Sequence, residues 1–366
     1  MKIVDVNAHL HTPYSVRAFD SVSQALDMAA REGVKVVGIN DFYSMDGYGE
    51  WARECEARRL VPLFNIEFIS LNVADQQAGV RVNDPNNPGR TYLSGKGLAN
   101  PVTLSGREAQ QLAAVKAESN AQVARMCEKL NAHLDRVGAG LHLSFDRIEK
   151  ELTRGSIRER HLAKALRLAI EARCAEQDRP AMYERIFEGK PLKSDPADAA
   201  AVENEIRSKL LKAGGAAFVP EDPKAFLPME TVQRIIEAAG GIPTYPFLGD
   251  DAKGCFTDFE EDLQKAADIL KQRGIRSCEF ITTRNTTAVL ERYASYLEDE
   301  GFAVCFGSEH NTPALEPIRL RTRDAEGLSE RLREINYRGA CRIVAHQNGL
   351  RTVEEGDAII QKLLTK

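Results

Sequence analysis

The sequence lacks any apolar run approaching the roughly 18 residues of a membrane span. It also lacks a CxxC pair. Its seven cysteines (Cys55, Cys127, Cys174, Cys255, Cys278, Cys305 and Cys341) are odd in number and scattered, which argues against a disulfide framework and a zinc–cysteine knuckle. Cys278 and Cys305 lie in apolar strand-like runs, where packed thiols are expected. No basic run stands out: 49 Lys and Arg oppose 54 Asp and Glu, for a net charge of −5. Neither a nucleic-acid partner nor a membrane partner is expected. The chain opens directly on a strand-like segment with no leader pattern, so a cytoplasmic protein is the expectation. Internal repeats and low-complexity tracts are missing too.

What is present is strand–helix alternation. The 366 residues are 43% hydrophobic and 28% charged, enough for one large domain with an insertion, or for two domains. In the first block, KIVDV, VKVVGIN and LVPLFNIEFISL read as strands separated by the helical SVSQALDMAAREG and YGEWARECEARR. In the last block, GIPTYPF, IRSCEFIT and FAVCFGS alternate with FEEDLQKAADILKQRG and TAVLERYASYLEDEG. DAEGLSERLREINYRG then reads as a helix, CRIVAH as a strand and TVEEGDAIIQKLLTK as a helix. Glycines 33, 240, 241, 274, 301 and 339 are read as helix ends. Such alternation predicts a parallel sheet, as a barrel or an open doubly wound sheet. Residues 74–105 form an Asn/Pro/Gly loop with a short strand near Thr91–Leu93, and residues 106–225 read as almost wholly helical. The expected division is a barrel from 1–105 and 226–366, with a helical insertion at 106–225 that could be a lid or a subunit contact.

Metal-type side chains gather where strands end. His9 and His11 follow KIVDV, and residues i and i+2 of a strand share a face. Asp41 follows VVGIN, Glu67 sits in FNIEFISL, Glu279 in RSCEFIT, and Glu309 and His310 follow AVCFGS. Reactants of parallel α/β folds bind at the C-terminal strand ends. Imidazoles and carboxylates there suit zinc, manganese or iron(II). Taken singly, an HxH is a weak signal, and Asp41 could equally be a helix cap or turn residue. Glu67 and Glu279 are harder to dismiss, because a carboxylate in an apolar strand must be paired or metal-bound.

In order along the chain, VNAHLHTPYS, VVGINDF, FNIEFIS, AAGGIPTYPF and FGSEHNTP resemble the motifs of the PHP (polymerase and histidinol phosphatase) superfamily. Their usual forms are DxHxHT-x-YS, a strand ending in TDH, a strand with a glutamate, AGG with an AHP-like end, and GSDxH. RERHLAKAL is similar to the RxHxA motif of the nucleotide phosphoesterase branch. The resemblance implies a distorted (β/α)7 TIM-like barrel with metals at its mouth. It implies a first metal held by His9, His11, Glu67 and Glu309. At the positions of the second metal's histidines stand Tyr92 and Tyr245, and at those of the third stand Phe42 and Asn311. Whether His310 takes the final histidine position in place of Asn311 is open.

The expectation is therefore a metal-dependent, hydrolase-like enzyme with one divalent metal per chain, acting on a small polar or anionic molecule. Elimination, isomerisation or retro-aldol chemistry is a variant of the same reading. A multi-metal phosphoesterase acting on nucleotide or sugar phosphates is one alternative, and a non-catalytic PHP-derived binding protein is another. Asp41, His310, Tyr245 and His161 are the acid–base candidates. Tyr92, Arg160, Arg284 and Glu279 are the candidates for substrate contact, with Arg160 and His161 placed there by the resemblance. A homo-oligomer is left open.

Overall fold

The computed structural model describes residues 1–16 and 18–365. Eight strands are described: β1 (Asp5–Leu10), β2 (Val34–Phe42), β3 (Val61–Leu71), β4 (Arg90–Lys96), β5 (Leu227–Pro228), β6 (Ile242–Phe247), β7 (Ser277–Ile281) and β8 (Ala303–Gly307). They hydrogen-bond in the order β1-β2-β3-β4-β6-β7-β8, while the two-residue β5 pairs with β3. A parallel bridge between Leu10 and Glu309 joins the ends, giving a nearly closed seven-stranded barrel. All pairings on this path are parallel except those of β4, which runs antiparallel to both β3 and β6. The strands are buried on both faces, which is why VKVVGIN and LVPLFNI read as continuous apolar runs.

The main core lies between the barrel and its surrounding helices, with Trp51, Phe68, Phe247 and Phe280 among its fully buried members. From 97 to 226 the described chain holds no strand. Its helices, of which Gly106–Arg136 and Glu159–Arg173 are the longest, enclose a separate apolar core around Leu130, Leu166 and Ile206. Ion pairs join this helical region to the barrel rim: Lys116 with Asp46, Arg154 with Glu50, and Arg90 with Glu221. Among the described residues, no helix is long and apolar enough to cross a membrane.

One element departs from the sequence reading. CRIVAH is not a strand but the end of the helix Glu330–Gln347. Tyr337, Ala340, Cys341 and Val344 are buried at helical spacing, a pattern a short apolar run cannot distinguish from a strand. Gly339 is therefore not a helix end. It lies where a Cβ would sit 1.8 Å from the Val304 carbonyl oxygen, so it lets the helix pack directly on β8.

Candidate metal centre

His9 and His11 lie at the end of β1, and Glu67 comes from the middle of β3. All three are buried and their ligand atoms converge. His9 Nε2 is 3.5 Å from His11 Nε2; Glu67 Oε2 is 3.3 Å from His11 Nε2 and 3.7 Å from His9 Nε2. Ligands about 2.1 Å from a tetrahedral ion stand about 3.4 Å apart, so the spacing matches three corners of such a site. Glu67 Oε2 is buried with no hydrogen-bond partner, which a carboxylate oxygen tolerates poorly unless a cation faces it. Gly307 makes room for the cluster, because a Cβ there would lie 2.2 Å from His9 Cβ.

Each histidine is aimed through its other nitrogen. His9 Nδ1 is 3.0 Å from Glu279 Oε2. His11 Nδ1 is 3.3 Å from Ser15 Oγ, whose hydroxyl donates to Asp41 Oδ1 at 2.5 Å. Both Nδ1 atoms can thus carry the proton, which turns both Nε2 lone pairs toward the cluster, that of His9 within reach of the Asn40 amide as well. Glu279 is held in turn by Lys96 Nζ at 2.6 Å and by the Ser94 hydroxyl. Lys96 is fully buried and also donates to Asn40 Oδ1 at 3.1 Å. The Asn40 amide nitrogen lies 3.2 and 3.0 Å from the two ring nitrogens of His9.

The electrostatics describe a site short of one positive charge. Glu67 and Glu279 carry two negative charges against one on Lys96. Burial acts to lower the His9 imidazolium, but Glu279 and Glu67 outweigh it and raise it to about 9. Burial acts to raise Glu67, yet His9 and His11 hold it down to about 2. Burial likewise opposes ionisation of Glu279, and Lys96 and His9 hold it well below the usual range. A proton on His9 supplies the one missing charge, which a bound cation would otherwise offset.

The remaining candidates separate by strand alternation. In register, Asn40 pairs with Asn65 and Phe42 with Glu67, so Phe42 shares the inward face and Asp41 does not. Asp41 accepts from Thr12 N at 2.8 Å, Thr12 Oγ1 at 2.5 Å and Ser15 Oγ at 2.5 Å. These bonds make it a brace for the His11 turn rather than a free base. Tyr245 pairs with Cys278, one residue off the inward Glu279, and therefore faces outward. Its hydroxyl donates to the buried Glu260 at 2.8 Å, away from the mouth. Glu279 backs His9 from inside the barrel, which puts it behind the ligands instead of facing a substrate.

His310 has both nitrogens engaged, Nδ1 with Ser308 Oγ at 2.7 Å and Nε2 with the Glu316 carbonyl at 2.7 Å. Burial lowers it below the usual imidazole range, and it stacks on Phe19. It is a neutral histidine of the β8 loop. His161 accepts the Arg158 N–H on Nδ1 at 2.9 Å, and burial lowers it to about 4. Its Nε2 is buried and unpartnered, beside Arg160, Lys164 and Asn311.

Glu309 does not join the three-ligand cluster. Its carboxylate lies 2.5 Å from Arg284 Nη2. Arg160 reaches Asn311 Oδ1 at 3.2 Å, and burial together with Arg207 lowers its guanidinium to about 10. Phe42 stacks on His11 with ring centroids 5.0 Å apart, and the Arg158 guanidinium lies 4.5 Å from the Phe42 centroid. Tyr92 stands beside Phe42, its phenol kept protonated by burial and by Asp84. The mouth is thus lined by three arginines and a neutral phenol. Sequence reasoning missed Lys96, Asn40, Ser94 and Arg158; for Asn40, the signal available was its place two residues before Phe42 on one strand face.

The sequence matches no protein-family model and no curated relative. Its fold is similar to that of an amidohydrolase from Chromobacterium violaceum, solved with bound sulfate and no metal. The TM-score is 0.56 at 16% identity, over 90% of this chain and 95% of that one. It is also similar to a protein from Bifidobacterium adolescentis described as a metal-dependent phosphoesterase, with a TM-score of 0.56 at 17% identity, over 90% and 94% of the two chains. The likeness is one of fold: a TIM-like barrel.

Proposed function

We propose that this chain is a metal-dependent hydrolase of PHP type that binds one divalent cation through His9, His11 and Glu67 and acts on a small anionic substrate. The observation that carries this reading is the convergence of two Nε2 atoms on the unpartnered Glu67 Oε2. The donor set, two imidazoles and a carboxylate, suits zinc, manganese or iron(II). When bound, the cation supplies a Lewis acid at the barrel mouth.

The chain's own residues do the rest. Glu279 and the Ser15–Asp41 pair fix the two imidazoles, and Lys96 keeps Glu279 charged. Arg158, Arg160 and Arg284 offer planar donors to an oxyanion, and Tyr92 can donate from a phenol that stays protonated. Phe42, stacked on His11, keeps one side of the cluster apolar. A single cation is favoured because, among the described residues, one group of three ligands converges, and Tyr245 faces outward. Among the described residues, no second group of converging ligands favours a multi-metal phosphoesterase. The test is metal content after purification without chelator, paired with a hydrolase panel. About one equivalent per chain, lost in His9→Ala/His11→Ala, is expected. About three equivalents, or retention by the double variant, overturns the reading.

A further inference from the structure

We propose that Arg284 and the metal compete for the Glu309 carboxylate, and that a small oxyanion binding Arg284 releases Glu309 to become the fourth metal ligand. The proposal rests on the single-metal reading above. Its first support is that the Glu309 backbone is fixed beside the two histidine ligands. Its N–H donates to the His9 carbonyl at 3.0 Å, and its carbonyl accepts from His11 N–H at 3.0 Å. Only the side chain is left to move. Glu309 and His310 both hold positive φ, +68° and +51°, a conformation that non-glycine residues keep only where the surroundings impose it.

The second support is the nature of the Arg284 contact. It consists of one N–O pair, Nη2 to Oε2, and not the two-point fork that makes arginine–carboxylate pairs strong. Among the described residues, the Arg284 side chain has no other hydrogen-bond partner, and it is 42% exposed. It borders a cleft of about 160 Å³ that Thr283, Glu309, Asn311 and Thr312 also line. An incoming group with two oxygens in a plane can take the guanidinium bidentately and displace Glu309's single contact. Carboxylates and phosphoryl groups share that chemistry.

The third support is what Glu309 would gain. The His9, His11 and Glu67 tripod fills three corners of a tetrahedral site. Glu309 lies near enough for the charges of Glu67, His11 and His9 to act on it. A fourth anionic ligand would then arrive only when the substrate's charge sits on Arg284, so Arg284 keeps one anionic partner throughout the exchange.

The experiment is calorimetric titration of manganese into wild type, Arg284→Met, Glu309→Gln and the double variant, in an anion-poor buffer. Arg284→Met is expected to tighten metal binding by ~10-fold, the scale of supporting-residue effects on metal sites. Glu309→Gln alone is expected to change it by less than about twofold, since its carboxylate is occupied elsewhere, but to cancel the whole gain in the Arg284→Met background. In separate arms, acetate or methylphosphonate is expected to tighten metal binding in wild type and not in Glu309→Gln; the anion that does so identifies the group recognised. One equivalent bound with no tightening in Arg284→Met, with Arg284→Gln as a second variant, overturns the exchange. An equal cost of Glu309→Gln in both backgrounds also overturns it, and no response to either anion overturns the ligand half. No metal uptake by wild type overturns instead the single-metal reading beneath it.

Discussion

The β1 end and the β8 end of the barrel meet at one bridge, and both carry histidine with acid nearby. They do different things with them. At the β1 end, protein groups take the Nδ1 atoms of His9 and His11 and turn both Nε2 atoms toward Glu67, with the Asn40 amide beside that of His9. At the β8 end, His310 gives both nitrogens to the protein, and Glu309 gives its carboxylate to Arg284. Ligation depends less on residue type than on where the surrounding fold directs the lone pairs. One end is built as a rigid site, and the other as a partly exposed rim that can rearrange.

The largest effect should come from removing the β1 end's converging nitrogens. His9→Ala or His11→Ala is expected to abolish stoichiometric metal binding, read by plasma emission analysis. His310→Ala should keep the metal and lose about 1–2 kcal/mol of stability in urea melts, for its two hydrogen bonds. Metal loss in His310→Ala would erase the distinction between the two ends.

Next comes the support behind His9. Glu279→Gln leaves Lys96 buried without its counter-charge, for which a cost of about 3–5 kcal/mol in stability is expected. Metal affinity should fall by about 10- to 100-fold. The double variant Lys96→Met/Glu279→Gln should recover much of the stability but not the affinity, because Glu279's role toward His9 is separate from its pairing with Lys96. Recovery of both would mean that Glu279 only neutralises Lys96.

A third, smaller effect concerns the barrel's outer face. Glu260 is fully buried, and burial raises it to about 7 despite bonds from Leu248 N, Gly249 N and the Tyr245 hydroxyl. Between about 4.5 and 7 the folded protein then holds a proton that the unfolded chain has lost. Its stabilising effect is complete below about 4.5 and is lost as pH rises through about 7, by about 3 kcal/mol at most. In Glu260→Gln that fall should flatten; melts with the wild-type slope would rule Glu260 out as its source. Smallest of all, Tyr245→Phe should cost about 1 kcal/mol and leave metal affinity unchanged, since the hydroxyl serves Glu260 outside the mouth. A weakened metal site would move Tyr245 back among the mouth residues.

The barrel is legible in the sequence because its parallel strands are buried on both faces and write continuous apolar runs. CRIVAH is such a run too, and only the helical spacing of Tyr337, Ala340, Cys341 and Val344 reveals a helix. In the candidate site, Glu67 stands out because its neighbours are apolar, and the HxH spacing puts two imidazoles on one face. The period of two also separates Asp41 from Asn40 and Phe42 once the inward face is known. Lys96 is invisible at that level. It follows a glycine in LSGKG, reads as loop, and acquires its role only when the antiparallel β4 carries it beneath Glu279. Glu309's place on Arg284 depends on a bridge between opposite ends of the sheet, which no local pattern encodes.

The most direct test of the single buried cation is anomalous diffraction from crystals grown with zinc or manganese. The account predicts one strong peak, about 2.0–2.2 Å from His9 Nε2, His11 Nε2 and Glu67 Oε2. Two or three peaks at the mouth, or no peak among these three atoms with the metal elsewhere, would contradict it.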